Sequence, residues 1–113
     1  MSADLLAFHL YAEQIKFVRE FKFHPTRRWR ADFAIAGMDG FNDCSVLVEV
    51  DGGNFMAAIN RKTGKPVAIG RHTKDADYEK LNEAAILGFM VLRFSTGQVK
   101  RGEAIATIKR ALA

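Results

Sequence analysis

The chain has 113 residues, of which 49% are hydrophobic and 27% are charged. This length supports one hydrophobic core and leaves no room for a second, and the composition is that of a folded globular protein, not a disordered tail. The formal net charge of +4 suits a polyanionic partner. The single cysteine excludes an intramolecular disulfide and a cysteine-rich zinc site.

The N-terminal residues lack the basic and then apolar layout of a secretory signal. The longest apolar run, from Ala84 to Leu92, is about half the length that a membrane span needs. We therefore expect a cytoplasmic protein that does not enter a membrane.

The N-terminal third of the chain predicts a helix followed by a strand. From about residue 4 to residue 20, apolar side chains recur at the spacing of one helix face, and Glu13 places a carboxylate on that stripe. Pro25 ends any regular helix or strand that precedes it. Alternation over residues 29 to 35 then predicts a strand with Asp32 on one side. The residues expected on its other side are Ala31, Phe33 and Ile35.

The middle of the chain predicts a second strand and an insert. Residues 45 to 51 are rich in valine and end at two glycines, which is typical of a strand. We expect this strand to pair with the preceding one as an antiparallel hairpin. Residues 54 to 74 contain the turn sequence Thr63-Gly64-Lys65-Pro66, which indicates either a small basic hairpin or a mobile loop.

The C-terminal part predicts a helix, a strand and a second helix. The first helix is capped by Asp75 or Asp77 and ends at Gly88. The residues expected on its inner face are Tyr78, Leu81 and Ala85. The apolar run over residues 89 to 94 predicts a strand buried on both faces, parallel to a neighbour because a helix connects them. Residues 103 to 112 form the last helix. The expected fold is a single α/β domain, 1–113, with three layers.

Acidic side chains are expected to converge where the two predicted strands pair. Strand alternation places Glu49 and Asp51 on the same face, and the hairpin can bring Asp32 beside Glu49. Carboxylates gathered in an apolar setting repel one another, and a bound divalent cation removes that cost. Oxygen ligands favour Mg²⁺ or Mn²⁺ over zinc. The alternative is that Asp32 and Asp51 are strand-end residues and that Glu49 lies on an exposed face.

Four blocks of the sequence together resemble a known family. They are REFKFHPTRRWRADFAI, VEVDGG, GRHT and DYEKLNEAAILGFMVLRF. From about Arg19 to Val99 the chain resembles small phage and prophage endonucleases of the PD-(D/E)xK superfamily, which are related to the very-short-patch-repair nucleases. The resemblance implies a restriction-endonuclease-like α-β-β-β-α-β core with a mixed sheet. It also implies Mg²⁺-dependent hydrolysis of phosphodiester bonds during DNA recombination, repair or processing.

Carried over by position, the resemblance implies that Asp32 and Glu49 bind the catalytic metal. The backbone carbonyl of Val50 and the carboxylate of Glu13 are implied as further ligands. The lysine that the family places two residues after the second acid is absent, and Asp51 stands there, where it is a further candidate ligand of the metal. That lysine normally orients the attacking water and stabilises negative charge on the phosphate.

Another cation must take over that role, or the chain is a degenerate nuclease that recognises DNA or a DNA junction without cutting it. Lys80 is the first candidate, and His72 and Lys74 come next. His72 can also act as a general base or contact the scissile phosphate. An ordinary surface lysine is the alternative for Lys80.

Basic residues cluster in two places, and we expect both clusters to contact the phosphates of DNA. The first cluster is Arg27, Arg28 and Arg30, and the second is Arg61, Lys62, Lys65, Arg71 and Lys74. The alternative is a solvated surface with no partner. Cleavage of both strands of a duplex would favour a two-fold homodimer. No organic cofactor is expected.

Overall fold

The computed structural model describes residues 2–35, 45–51, 58–59, 66–67 and 74–113. The architecture is α/β, as the sequence predicted. In chain order, its elements are α1 (Ser2–Ala12), β1 (Phe17–Lys22), β2 (Arg30–Ile35), β3 (Val46–Asp51), β4 (Ala58–Ile59), β5 (Pro66–Val67), α2 (Lys74–Ile86), β6 (Met90–Ser95), α3 (Thr96–Lys100) and α4 (Glu103–Leu112).

Four strands form one mixed sheet in the order β1-β2-β3-β6. β2 pairs antiparallel with β1 and with β3, whereas β6 pairs parallel with β3. The predicted β2–β3 hairpin and the parallel last strand are therefore confirmed, and α2 is the crossover that a parallel pair requires. β4 and β5 pair antiparallel as a separate two-stranded sheet, which agrees with the hairpin alternative for the insert.

Two apolar clusters pack on the sheet, and they divide the helices between them. The first cluster joins α1, α3 and α4 to the sheet through Leu6, Leu10, Phe33, Ile35, Val46, Val48, Phe94, Val99, Ala104 and Ile108. The second joins α2 and the turn between β1 and β2 to the sheet through Phe23, Ala31, Ala34, Leu47 and Ala84. The helices of the two clusters lie on opposite faces, so the sheet is the middle of three layers.

The predicted first helix is wrong beyond Ala12, because the chain turns there and continues as β1. The turn closes through Gln14, whose φ of 59° is left-handed. Its N–H donates to the carbonyl of Tyr11 at 3.0 Å, and the N–H of Ile15 donates to that of Leu10 at 2.9 Å. This is the hydrogen-bond pattern that usually ends a helix at glycine, and here a glutamine adopts it. The apolar spacing continued past this turn, so periodicity alone did not reveal it.

The alternation predicted for β2 also fails at one point. Phe33 and Ile35 belong to the first cluster, whereas Ala31 belongs to the second. The change occurs at Asp32. On the neighbouring strand β1, Glu20 lies opposite Asp32 in the register, and its φ of 54° is left-handed. Beyond this point Ala31 and its partner Phe21 pack with the second cluster.

β6 is an edge strand, and the prediction that it is buried on both faces is wrong. Among the described strands only β3 pairs with it, and Met90 and Arg93 are exposed. The short helix α3 follows directly and was not predicted. It begins with a reciprocal cap, because the Ser95 hydroxyl accepts from the N–H of Gln98 and the Gln98 side chain accepts from the N–H of Ser95.

The inner face of α2 is rotated from the predicted one. Tyr78 is 58% exposed and Ala85 is exposed, whereas Ala84 is buried against the sheet. Leu81 and Lys80 are partly buried on the same side as Ala84. The rotation brings Lys80 onto the face of α2 that packs against the sheet.

The predicted ends of both C-terminal helices agree closely with the structure, but α2 begins at Lys74, so Asp75 and Asp77 lie within its first turn and do not cap it. α4 spans Glu103–Leu112, and α2 ends just before Gly88, whose φ is 91°. The N–H of Gly88 donates to Ala85 and that of Phe89 donates to Ala84, each at 3.0 Å. These two bonds satisfy the last carbonyls of the helix and direct the chain into β6. Among the described residues, no helix has the length and apolar character to cross a membrane.

Replacing Gly88 with alanine is expected to lower the free energy of unfolding by about 1–2 kcal/mol, the cost of a left-handed conformation for a residue with a Cβ. No atom would contact that Cβ, so the cost comes from the backbone. Urea denaturation followed by circular dichroism measures it. The control Asn82→Ala, on the exposed side of α2, should stay within about 0.5 kcal/mol of the wild type. Equal stability of Gly88→Ala and the wild type would contradict the turn geometry.

Candidate active site

The site begins where β2 and β3 separate. Towards the N-terminal end of β2, the last residue pair between the two strands is Phe33 with Val48. The residue before Phe33 is Asp32, whose side chain accepts a hydrogen bond from the backbone N–H of Val50, with an Oδ2–N distance of 2.8 Å. The carboxylate satisfies a donor on the central strand that is not paired with a β2 carbonyl. Asp32 is therefore fixed beside the end of β3, opposite Glu49 in the continued register.

Glu49 contacts a lysine from the crossover helix. The Lys80 ammonium donates to Oε1 of Glu49 and, with an Nζ–O distance of 2.7 Å, to the backbone carbonyl of Arg30. The side chains of Glu49 and Lys80 are only 15% and 21% exposed. A lysine held by an acid and by a strand carbonyl is fixed in position, unlike a free surface lysine. The structure thus brings two of the predicted site residues together.

A narrow pocket surrounds this contact on the α2 side of the sheet. Its lining consists of apolar residues of the second cluster and its neighbours together with the charged pair: Phe23, Ala31, Leu47, Glu49, Lys80, Leu81, Ala84 and Val91. A carboxylate in such a lining is costly to keep charged unless a cation accompanies it. Lys80 fulfils that requirement from the helix.

Arg93 is the site residue that the sequence analysis missed. It lies on β6 directly beside Glu49 in the parallel register, with its Nε 4.0 Å from Oε2 of Glu49. One guanidinium nitrogen donates to Oδ1 of Asp51 at 3.0 Å. This hydrogen bond, with the negative charges of Asp51 and Glu49, raises the pKa of Arg93 against the opposing effect of burial. A charged residue within an otherwise apolar run was the available signal in the sequence.

The donor set fits a divalent cation that is bound through few protein ligands. Asp32 and Glu49 offer two carboxylates, and Mg²⁺ in proteins commonly uses one or two carboxylates together with waters and substrate phosphates. Among the residues that the structure describes, no group of three or more His, Cys, Asp or Glu side chains is gathered closely enough to hold a metal. The fit therefore depends on this pair.

Glu13 is not brought to the pair that it was predicted to join. It lies in the turn after α1, and its carboxylate is 2.5 Å from the ammonium of Lys109 on α4. α1 and α4 pack on the face of the sheet opposite to α2, which carries Lys80. The packing of α1 on that opposite face explains the difference.

Other predicted residues differ in what the structure describes of them. Arg61, Lys62, Lys65, Arg71 and His72 lie outside the described residues. Lys74 is the first residue of α2, but its side chain is outside the description. Asp51 pairs with Arg93, as given above.

The turn between β1 and β2 carries the first basic cluster and is attached to α2. The Nδ1 atom of His24 accepts from the backbone N–H groups of Thr26 and Arg27, at 3.2 and 3.0 Å. This acceptor role places the ring proton on Nε2, which lies 3.0 Å from a carboxylate oxygen of Glu83. The His24 side chain is 11% exposed. A buried contact therefore holds the shape of the turn.

The three arginines of this cluster have different surroundings. Arg27 contacts Glu79 of α2, and its guanidinium carbon lies 4.0 Å from the ring centre of Trp29. Arg28 and Arg30 are exposed, and within the described part of the chain neither side chain has an ion-pair partner. Arg28 and Arg30 are therefore the cations of this cluster that remain available to a phosphate.

No family model, no curated protein and no solved structure matches this chain. A functional assignment therefore depends on the contact of Asp32 with the backbone of Val50 and on the contacts of Glu49 with Lys80 and Arg93.

Millimolar Mg²⁺ or Mn²⁺ is expected to raise the melting temperature, because a cation that binds only the folded state stabilises it. At a hundred times its dissociation constant this amounts to about 2.7 kcal/mol. Asp32→Asn and Glu49→Gln should each remove most of the rise in thermal scans. Asp4→Asn is the matched control, because Asp4 pairs with Arg19 on the opposite face, and it should keep the rise. Wild-type scans that superimpose with and without metal would exclude this metal site.

Proposed function

We propose that this chain is a Mg²⁺- or Mn²⁺-dependent endodeoxyribonuclease that hydrolyses phosphodiester bonds. The observation that carries the proposal is the contact between Lys80 and Glu49, next to the Asp32 side chain at the end of β3. The resemblance to PD-(D/E)xK nucleases includes the two acids, but this sequence lacks the motif lysine. A lysine that reaches Glu49 from α2 is the substitute that this reaction needs.

The reaction determines what the residues must do. Hydrolysis of a phosphodiester increases the negative charge on a phosphate that is already close to carboxylates. Asp32 and Glu49 would hold the divalent cation, which polarises the phosphate and lowers the pKa of a bound water when present. A positive charge from the protein is required beside them, because the acids alone would repel the substrate.

Lys80 has the donors for this role. An ammonium group has three N–H donors, and two of them are directed to Glu49 and to the carbonyl of Arg30. Among the described residues nothing accepts from the third, which leaves it for the attacking water or a phosphate oxygen. Because two bonds already fix the ammonium, little reorganisation is needed when the substrate binds, and this favours stabilisation of the transition state.

Two features support DNA as the substrate. Arg28 and Arg30 lack ion-pair partners among the described residues. Arg28 lies on the turn that leads into the strand of Asp32, and Arg30 is the first residue of that strand. Cations in such positions suit backbone phosphates, whose contacts fix the orientation of a nucleic acid without reading its sequence. The net charge of +4 acts in the same direction.

A non-catalytic DNA-binding or junction-recognition module is the second candidate function. The observation that favours it is that Lys80 and Arg93 both approach Glu49, so this acid is compensated without a metal. In that case the charged cluster would be a stabilising network of the fold. The two functions differ in whether any DNA is cut.

A panel of labelled DNA substrates tests the proposed function. Single strands, duplexes, mismatches, flaps and four-way junctions are incubated with Mg²⁺, Mn²⁺ or EDTA. We expect cleavage of at least one substrate, only with a divalent cation, and its loss in Asp32→Ala and Glu49→Ala with DNA binding largely kept. The matched control is Glu103→Ala, which removes an ion-paired acid from the start of α4 and should cut normally. Cleavage in EDTA would contradict the metal role, and binding without cleavage under every condition would support the module.

Lys80→Ala is expected to lower the cleavage rate by about two orders of magnitude or more, the scale for losing one transition-state donor. Metal affinity should stay nearly intact, because the acids remain. Lys80→Arg should recover only part of the rate, since a planar guanidinium differs from an ammonium in shape and hydration. Single-turnover kinetics with His72→Ala and Lys74→Ala as comparisons provide the measurement. If Lys80→Ala cuts at the wild-type rate while His72→Ala does not, the role belongs to His72.

A further inference from the structure

We propose that Asp51 positions the guanidinium of Arg93 beside Glu49, so that Arg93 donates hydrogen bonds to a phosphate of the bound DNA strand. This inference rests on the proposed function. It assigns Asp51 a positioning role in place of the metal-ligand role that the sequence suggested, and it adds a second cation to the site.

The register of the two parallel strands sets this arrangement. Glu49 of β3 pairs with Arg93 of β6, and Asp51 lies two residues further along β3. Alternation places Asp51 and Glu49 on the same face of the strand, so both acids flank the arginine. The Arg93 guanidinium donates to Asp51 at 3.0 Å, and its Nε is 4.0 Å from Glu49, which is beyond hydrogen-bond distance. Asp51 therefore holds the guanidinium, and Glu49 attracts it without binding it.

Arg93 keeps donors that this pair does not use. An arginine has five N–H donors in a planar fork, and Asp51 accepts from one nitrogen. Within the described part of the chain, nothing else forms a hydrogen bond with the guanidinium, and its side chain is 35% exposed. The planar fork suits the oxygens of a phosphate, which it can bind through two parallel hydrogen bonds.

The position of Arg93 in the sheet leaves it open to a ligand. β6 is the edge strand of the described sheet, and no other described strand covers its outer side. Lys80 approaches Glu49 from the helix and Arg93 approaches it from the edge strand. Asp51, the acid at the position of the missing motif lysine, thus anchors Arg93, which is one of the two cations beside Glu49.

The charges also explain why Asp51 is better suited to this role than to metal binding. To bind a metal, the Asp51 carboxylate would have to give up a charged hydrogen bond, and Arg93 would then repel the incoming cation. Asp32 has no ion-pair partner among the described residues, and Glu49, whose Oε1 accepts from Lys80, keeps its Oε2 without a hydrogen bond in that part of the chain, so a metal can bind there without breaking a charged hydrogen bond.

The test separates a phosphate contact from an ion pair that only stabilises the fold. The variants are Arg93→Gln, Arg93→Lys and Asp51→Asn. Arg101→Gln is the matched control, because Arg101 is an ion-paired arginine beside Glu103, away from the site. Circular dichroism establishes that each variant folds. Three quantities are then compared: the salt dependence of DNA affinity in EDTA, the affinity for Mn²⁺ in calorimetric titrations without DNA, and kcat and KM for cleavage.

Arg93→Gln is expected to reduce the slope of log affinity against log salt by about one unit, which corresponds to one lost phosphate contact. It should also lower kcat by about two orders of magnitude, and Arg93→Lys should restore part of both. Asp51→Asn should lower kcat while leaving Mn²⁺ affinity near that of the wild type. Arg101→Gln should change neither kcat nor Mn²⁺ affinity.

Two outcomes would overturn the inference. The first is a salt slope and a kcat for Arg93→Gln that equal those of Arg101→Gln. The second is a loss of Mn²⁺ affinity in Asp51→Asn as large as the loss in Asp32→Asn, which would make Asp51 a ligand. If Arg93→Gln does not fold, Arg93→Lys and Asp51→Asn decide the question. If the wild type cuts no DNA, the proposed function fails, while the salt slope and the Mn²⁺ titration still decide the roles of Arg93 and Asp51.

Discussion

The negative charge of Glu49 must be compensated, and this requirement organises the α2 side of the sheet. Glu49 lies on the central strand, its side chain is 15% exposed, and it lines a pocket that is otherwise mostly apolar. A carboxylate in that setting is stable only with positive charge nearby. α2 provides Lys80 and β6 provides Arg93, so the crossover helix and the edge strand are both tied to the central strand.

The two faces of the sheet have different tasks as a consequence. The face under α1, α3 and α4 is apolar throughout its buried cluster, and it provides most of the core. The face under α2 has a smaller cluster in which alanines allow close packing, and the charged groups lie beside it. Separating the faces in this way lets the first cluster stabilise the fold while the second holds acids and cations together at some energetic cost.

The sequence predicted those parts of the fold that follow from strong local patterns. The valine-rich strand β3, its hairpin with β2, the parallel β6 and the bounds of α4 all follow from periodicity and turn residues. β1 was missed because a glutamine in a left-handed conformation ended α1, and no glycine marks that point. α3 was missed because five residues give too little periodicity, although Ser95 and Gln98 form a recognisable cap.

One residue of the candidate site was predictable because the motif lacked a required positive charge. Residues whose role depends on contacts between different strands and helices were harder to predict. The absent lysine directed attention to Lys80, and the structure brings Lys80 to Glu49. The surroundings of Glu13 depend on the face of the sheet against which α1 packs, and those of Asp51 depend on its neighbour across a parallel pair. The residue pattern of a single strand reveals neither of these surroundings. Arg93 belongs to the site only because β6 lies beside β3, which is a property of the sheet order.

The central claim is that Asp32 and Glu49 hold a divalent cation beside Lys80. Anomalous X-ray diffraction from crystals soaked in Mn²⁺ tests it most directly, because the signal locates the metal without assumptions about activity. We expect one strong peak within coordination distance of carboxylate oxygens of both Asp32 and Glu49, with the Lys80 ammonium next to it. A peak held by other residues, or no peak at this pair under saturating Mn²⁺, would contradict the account.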